Sequence, residues 1–275
     1  MNRFLRLFRL GNAVMGILGV LIGAFIAVGF DIGDHVQNLL IACGVILAFI
    51  IGGNSLNDYI DREIDKTAHP ERPVPKGEIA PLTARNIGIA GLVAACVLSV
   101  LMLSIIVTAI VIVAAAMMVA YELYLKQRGF VGNVFIAILT GMIFLFGGAV
   151  VNNIEGNIII AAMAALVSIG REIAKDIQDM ESDEGRKTLP MTIGVKNAAI
   201  VGAVFFILGP VLSIYPLPFI SGTFGWLYCL VIVADALFIY SAYIIFRKAD
   251  VSQRVAKYAM LIALIAFVLG VIQWP

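Results

Sequence analysis

Two short stretches of this 275-residue chain concentrate acidic residues where long apolar runs end. The first, NSLNDYIDREID over residues 54–65, places Asp58, Asp61 and Asp65 at i, i+3 and i+7. At 3.6 residues per helical turn these three fall within an arc of about 60°. Carboxylates on one stripe repel unless a cation sits among them, although a single acidic helix end is also met as a surface wetted by solvent. The second stretch, REIAKDIQDMESD over residues 171–183, repeats the spacing with Asp176, Asp179 and Asp183. Two matched stripes can bracket hard cations. Mg²⁺ is the expected occupant, because it takes oxygen ligands, keeps waters and bridges one or two carboxylates to a phosphate.

Basic residues indicate the anion. Arg62, Lys66, Arg72 and Lys175 lie in or beside the stripes, Arg186 and Lys187 follow the second, and Lys126 ends an apolar run. Carboxylates, a divalent cation and a ring of Lys and Arg describe a phosphate or diphosphate site. Arg72, Lys126, Lys175 and Lys187 are read as ligand contacts; Arg128, Arg247, Lys248, Arg254 and Lys257 are read as setting topology. The sequence holds no GxxxxGK[ST] and no glycine-rich nucleotide fingerprint, so a nucleotide is not expected. Nor is a nucleic-acid partner. A diphosphate handled at the mouth of apolar helices points to a lipid-tailed substrate.

The elements that position these residues are membrane spans. The chain is 61% hydrophobic and 13% charged, with mean hydropathy +1.02, where a soluble domain carries about 25% charged residues. Runs of spanning length are expected at 10–30, 36–57, 84–103, 105–124, 131–151, 157–176, 197–215, 223–246 and 256–274. The pair separated by Ser104 would exceed the bilayer about twofold if read as one helix. The expectation is therefore an all-α, polytopic bundle of nine transmembrane helices forming one domain over 1–275. Its central cavity would be capped by loops at about 58–83 and 176–196. With the N-terminus in the cytoplasm, all 19 Lys and Arg residues fall on the inside, while the outside segments hold Asp31, Asp34, His35 and Glu155. The positive-inside rule thus predicts a multi-pass cell-membrane protein with both acid stripes cytoplasmic and the C-terminus outside. The basic start leads into a run long enough to stay in the membrane rather than be cleaved. Cys43, Cys96 and Cys229 lie in apolar runs without metal or disulfide spacing. Prolines 70, 73, 75 and 81 exclude a regular helix through the first loop. Both loops place a proline and basic residues after an acid stripe, a faint internal repeat.

These residues carry a family resemblance. Asn57-Asp58-x-x-Asp61-x-x-x-Asp65 resembles the NDxxDxxxD signature of the UbiA superfamily of intramembrane prenyltransferases, and Asp176-x-x-Asp179-x-x-x-Asp183 resembles its second aspartate motif. The nine-span count and Tyr121 with Lys126 at the end of the fourth span agree. Arg9-x-x-Asn12, His69-Pro70-Glu71-Arg72-Pro73 and Lys175-Asp176 followed by Gly185-Arg186-Lys187-Thr188-Leu189-Pro190 look like the archaeal digeranylgeranylglyceryl phosphate synthase branch. Chlorophyll and quinone prenyltransferases share parts of them. Glu122 departs from the pattern, which leads one to expect a small hydroxyl residue there. The resemblance implies that all six aspartates hold Mg²⁺ against the diphosphate of geranylgeranyl diphosphate. Ionisation gives an allylic cation, which the hydroxyl of geranylgeranylglyceryl phosphate attacks to form an ether. Arg9, Asn12, Asn54, Asn57, Arg72, Tyr121, Lys126, Lys175 and Lys187 are the implied substrate contacts. For Asn12 and Asn54 a helix–helix hydrogen bond is an equal reading.

Two other readings stand beside this one: an aromatic acceptor with the same chemistry, and an ion or metal transporter, since intramembrane acids mark ion paths. Only Asp235 and Glu122 lie deep enough for a midplane transport site. Asp235 is expected to pair with Tyr240, Ser241 or a polar group on another helix. His35 reads as a solvated loop residue, and His69 sits in the first motif loop. Changing Asp61→Ala or Asp179→Ala is expected to abolish prenyl transfer while leaving the protein folded; Mg²⁺ flux through proteoliposomes that survives both changes would favour transport instead.

Overall fold

The computed structural model describes residues 2–126, 128–180 and 188–272. Among these the regular structure is helical throughout. Hydrocarbon offers no partner to a backbone N–H or C=O, so each spanning segment closes its bonds within itself. The elements are α1 (Arg3–Phe8), α2 (Leu10–Val28), α3 (Val36–Ile60), α4 (Asp65–Ala68), α5 (Pro81–Met102), α6 (Ile105–Ala120), α7 (Phe130–Val150), α8 (Ile158–Asp179), α9 (Leu189–Ile193), α10 (Val195–Ser213), α11 (Val231–Ile244) and α12 (Ala249–Val271). A π turn, Tyr121–Leu125, follows α6. Large apolar side chains such as Leu40, Leu101 and Ile105 stand exposed on the helices, as a lipid environment requires.

Eight helical stretches among the described residues are long and apolar enough to cross a membrane when Leu10–Ile60 is taken as one stretch of 51 residues. That length is more than twice what a bilayer needs. The stretch is interrupted by the 3₁₀ segment Gly29–His35, entered through Gly29 at φ 60°. Nine spans are counted only when α2 and α3 are taken separately. Ser104 divides α5 from α6 by capping the latter, its hydroxyl accepting from the Val107 N–H at 3.4 Å. Helix α5 starts at Pro81, where a missing N–H costs nothing. Helix α12 begins at Ala249, seven residues before the expected 256, because its polar first turns carry an Asp250–Arg254 pair instead of apolar residues.

The chain divides into two compact units, residues 1–123 with 145–154, and residues 124–144 with 155–275. In the first, α3 and α5 pack backbone to backbone. A Cβ on Gly91 would lie 2.7 Å from Gly52 Cα and 2.8 Å from Ala48 O, and one on Gly52 would lie 2.7 Å from Leu92 N. Small residues let membrane helices approach this closely. At one end of this unit α1 covers the proline-rich loop. Leu7 is buried with Val74, Ile79 and Ala84, flanked by Phe4, Phe8, Tyr59 and Ile87. Arg6 pairs with Glu78, and Arg3 donates to the Glu78 carbonyl at 3.0 Å. The Lys76 ammonium, with Arg6 behind it, holds the Glu78 carboxyl below the usual carboxylate range.

In the second unit α8 packs against α10 and α12, and α11 against both of these. Tyr228 stacks on Phe267 at 5.7 Å between centroids. Ile169, Ile173, Ala137, Leu189 and Ala198 form the core beside the end of α8. Asp235 is held by neither Tyr240 nor Ser241: its Oδ2 accepts from Ser213 Oγ at 2.7 Å. Ser213 lies one helix away, three residues beyond Pro210, whose carbonyl it also engages at 2.7 Å. Asp235 is thus tied into packing between α10 and α11.

The glycine contact yields a test. Gly91→Ala is expected to cost about 1–3 kcal/mol through overpacking, read as earlier thermal unfolding in detergent. Gly44→Ala, on the same helix pair but with open space around its added Cβ, should leave unfolding unchanged or raise it slightly.

Candidate active site

The first acid stripe does not lie on one helix. Helix α3 ends at Ile60, Asp61 is its C-cap, and Asp65 opens the short α4. The chain nevertheless keeps helical spacing, because Asp61 N bonds to Asn57 O at 2.9 Å and Asp65 N to Asp61 O at 2.8 Å. The stripe therefore survives the helix end. Asp58, Asp61 and Asp65 are 1%, 6% and 3% exposed, so this is no solvent-wetted surface.

Buried carboxylates require cationic or hydrogen-bonding partners. Arg9 pairs with Asp58 and donates from the same Nη2 to Asn57 Oδ1 at 3.1 Å. Arg72 donates to Asp65 Oδ2 at 2.5 Å and lies 3.9 Å from Asp58 Oδ1. Arg9 is the single residue between α1 and α2, with φ 49° in the left-handed region. A non-glycine residue held there costs of order 1–3 kcal/mol and marks functional sites. Asn54 secures the corner from below: its Nδ2 donates to Phe8 O at 2.9 Å and its Oδ1 accepts from Asn12 at 3.5 Å. Asn54 so fills its structural reading.

Asn57 and Glu122 complete this cluster. Asn57 Nδ2 donates to Asp61 Oδ2 at 3.2 Å and to both Glu122 oxygens at 3.0 and 3.1 Å. Glu122 lies in the π turn, a rare element that concentrates at functional sites. Tyr121 opens that turn and Lys126 follows it, both half-buried.

The second stripe lies in the other unit. Asp176 stands on the last turn of α8, and its Oδ2 accepts from Asn133 of α7 at 2.8 Å. Asp179 is the final residue of α8 and is half-buried, while Lys175 is exposed. Asp183 and Lys187 lie outside the described residues. Arg62 and Lys66 turn away from the stripe: Arg62 sits over the Tyr59 ring, and Lys66 pairs with exposed Glu63 at 2.7 Å. Such surface pairs contribute little. Asn133 was not singled out by the sequence, where its one signal is a polar side chain inside the run GFVGNVFIAIL.

The oxygen-rich cluster suits a hard divalent ion. Asp58 Oδ2 is buried and has no hydrogen-bond partner among the described residues, so an acceptor stands unused beside Arg9 and Arg72. Among the described residues no three His, Cys, Asp or Glu groups converge to hold a metal by themselves.

Among the described residues a helical membrane chain thus brings buried, arginine-clamped aspartates to a helix end, an arrangement suited to anionic ligands. Solved structures share this fold. One, of digeranylgeranylglyceryl phosphate synthase in membranes, is 33% identical, covers 98% of each chain and has a TM-score of 0.86. A second, a UbiA homologue of Archaeoglobus fulgidus bound to DMAPP and Mg²⁺, covers 98% of this chain and 99% of its own at 16% identity and a TM-score of 0.67. The digeranylgeranylglyceryl phosphate synthase of Methanosphaera stadtmanae is 34% identical over 98% of this chain and 99% of its own length. That of Thermococcus kodakarensis is 36% identical over 97% of both. The chain belongs to the UbiA prenyltransferase family, matched over residues 16–268. It is a prenyltransferase, which decides against transport.

Arg9→Lys keeps the charge, but its shorter side chain does not reach as Nη2 does to both Asn57 Oδ1 and Asp58 Oδ1, and it lacks the further planar N–H groups of the guanidinium. Losing one charge-assisted bond of about 1.5–3 kcal/mol is expected to lower kcat/KM for the prenyl diphosphate about 10- to 100-fold, checked by steady-state kinetics of the purified variant.

Proposed function

We propose that this enzyme transfers the geranylgeranyl group of geranylgeranyl diphosphate to the free hydroxyl of geranylgeranylglyceryl phosphate, forming an ether in archaeal membrane-lipid biosynthesis. The observation that carries this reading is the buried Asp58–Asp61–Asp65 cluster with Arg9 and Arg72 laid against it. The relatives named above, similar over nearly their whole lengths, support the acceptor. So does the supply of cations, since Arg9, Arg72, Lys126, Lys175 and Lys187 exceed what one diphosphate needs and suit a second, phosphorylated lipid.

Mg²⁺ is the proposed cofactor; when bound it neutralises the diphosphate and stabilises its departure. Asp58, Asp61 and Asp65, with Asp176, Asp179 and Asp183, would hold it. The chain's own residues do the rest. Arg9, Asn57 and Arg72 orient phosphoryl oxygens, with Asn12, Asn54 and Tyr121 shaping the surrounding wall. The allylic C–O bond breaks, pyrophosphate leaves with the electron pair, and apolar helices keep water from the cation. The acceptor oxygen bonds to the allylic carbon, and its proton passes to pyrophosphate. Both stripes serve this one reaction in a single-domain protein of the cell membrane, its N-terminus and chemistry on the cytoplasmic side and its C-terminus outside.

The purified full-length protein, incubated with labelled geranylgeranyl diphosphate and Mg²⁺, is expected to yield the diether with geranylgeranylglyceryl phosphate and no product with an aromatic quinone precursor. EDTA should stop the reaction. Prenylation of the aromatic acceptor alone would overturn the assignment.

A further inference from the structure

We propose that Glu122 is a positioning residue for diphosphate binding, acting through Asn57; this rests on the prenyl-diphosphate reading above. The starting point is the local backbone. Leu123 and Tyr124, next along the π turn, are 53% and 67% exposed, whereas Glu122 is 6% exposed. A carboxylate in a membrane-spanning helix is costly and is kept where it has work to perform. The wider π turn points this one at the end of α3.

The hydrogen-bond pattern says what that work is. An asparagine amide has one acceptor face and one donor face that nearly share a shape, and only its surroundings decide which way it lies. On one side of Asn57 stand the carboxylates of Glu122 and Asp61, which accept. On the other stands the Arg9 guanidinium, which only donates. Glu122, which takes Nδ2 at 3.0 and 3.1 Å, adds to Asp61 in holding the amide with Nδ2 toward the acids and Oδ1 toward Arg9. Arg9 Nη2 is then pinned between Asn57 Oδ1 and Asp58 Oδ1. That fixes the plane of the guanidinium and the direction of its remaining N–H groups, Nε and Nη1, which bond to no described residue. Glu122 so sets the aim of Arg9 from two residues away, without touching substrate.

Acting through Asn57 has a signature that a merely structural carboxylate lacks: non-additivity. The test is binding of geranylgeranyl diphosphate with Mg²⁺, measured by titration on the purified full-length protein without acceptor, for Glu122→Ala, Glu122→Gln, Asn57→Ala and the double alanine variant. Glu122→Ala is expected to weaken binding about tenfold. Glu122→Gln, which still offers Asn57 an acceptor, should recover most of it. The double variant should bind within about twofold of Asn57→Ala alone. Multiplying effects in the double variant would overturn the proposal, as would unchanged binding in Glu122→Ala. Should Glu122→Ala unfold in detergent, Glu122→Met, of similar length but with no acceptor for Asn57, replaces it in the same comparison, alone and combined with Asn57→Ala. Because this titration omits the acceptor, wild-type protein that binds the diphosphate here but forms no ether once geranylgeranylglyceryl phosphate is supplied would sink the acceptor assignment and leave this inference standing. A wild-type protein that does not bind it would overturn this inference.

Discussion

Negative charge taken out of water must be met by positive charge or by hydrogen bonds, and the first unit is built around that requirement. Three aspartates are buried where α3 ends, in a chain with few charges to spend. Two arginines answer them from different directions, Arg9 from the corner between α1 and α2 and Arg72 from the proline-rich loop. Neither arginine belongs to the helix that bears the acids. The cluster therefore exists only when three separate segments are correctly docked. Breaking a buried pair typically costs more than never having made one, so the same residues that prepare the chemistry also make the local fold all-or-none.

Docking at that level of precision depends on helices that do not shift. Gly52, Gly88 and Gly91 let α3 and α5 touch through their backbones, and a backbone contact has no rotamers through which to relax. Helix α5 begins at Pro81, immediately after the loop that carries Arg72. The glycine seam thus holds the two helices between which the segment carrying Asp65 and Arg72 runs. In the second unit Asn133 of α7 donates to Asp176 on the last turn of α8, which ties those two helices together there.

Much of this was legible in the sequence, and the gaps have physical causes. Spanning helices announce themselves by length and apolar content, and the aspartate spacing and Arg72 by chemistry. What hydropathy misses is any element stabilised by tertiary contact alone. Helix α1 has six residues, too few to stand by themselves; it exists because Leu7 is buried against Val74, Ile79 and Ala84. The start of α12 is polar, so an apolar run marks the helix only from about residue 256. The end of α3 at Ile60 was invisible because helical spacing continues through Asp61 and Asp65. The pairing of Asn133 and the inward aim of Glu122 depend on a neighbouring helix and on a π turn, and the local sequence does not show what either side chain meets.

The corner at Arg9 has a mechanical consequence. Helices α1 and α2 are joined by that one residue, already bent into an unfavourable backbone region. There is no slack in such a joint. Most cationic side chains reach their targets on flexible stems and can swing aside by rotating a bond or two. Here the stem is short of freedom at its root, and the proline loop is stapled to the adjoining helix by Arg3, Arg6 and Leu7. Shifting the root of this side chain would mean tilting the whole amino-terminal corner, so only the side chain's own torsions remain to carry the guanidinium away from Asp58.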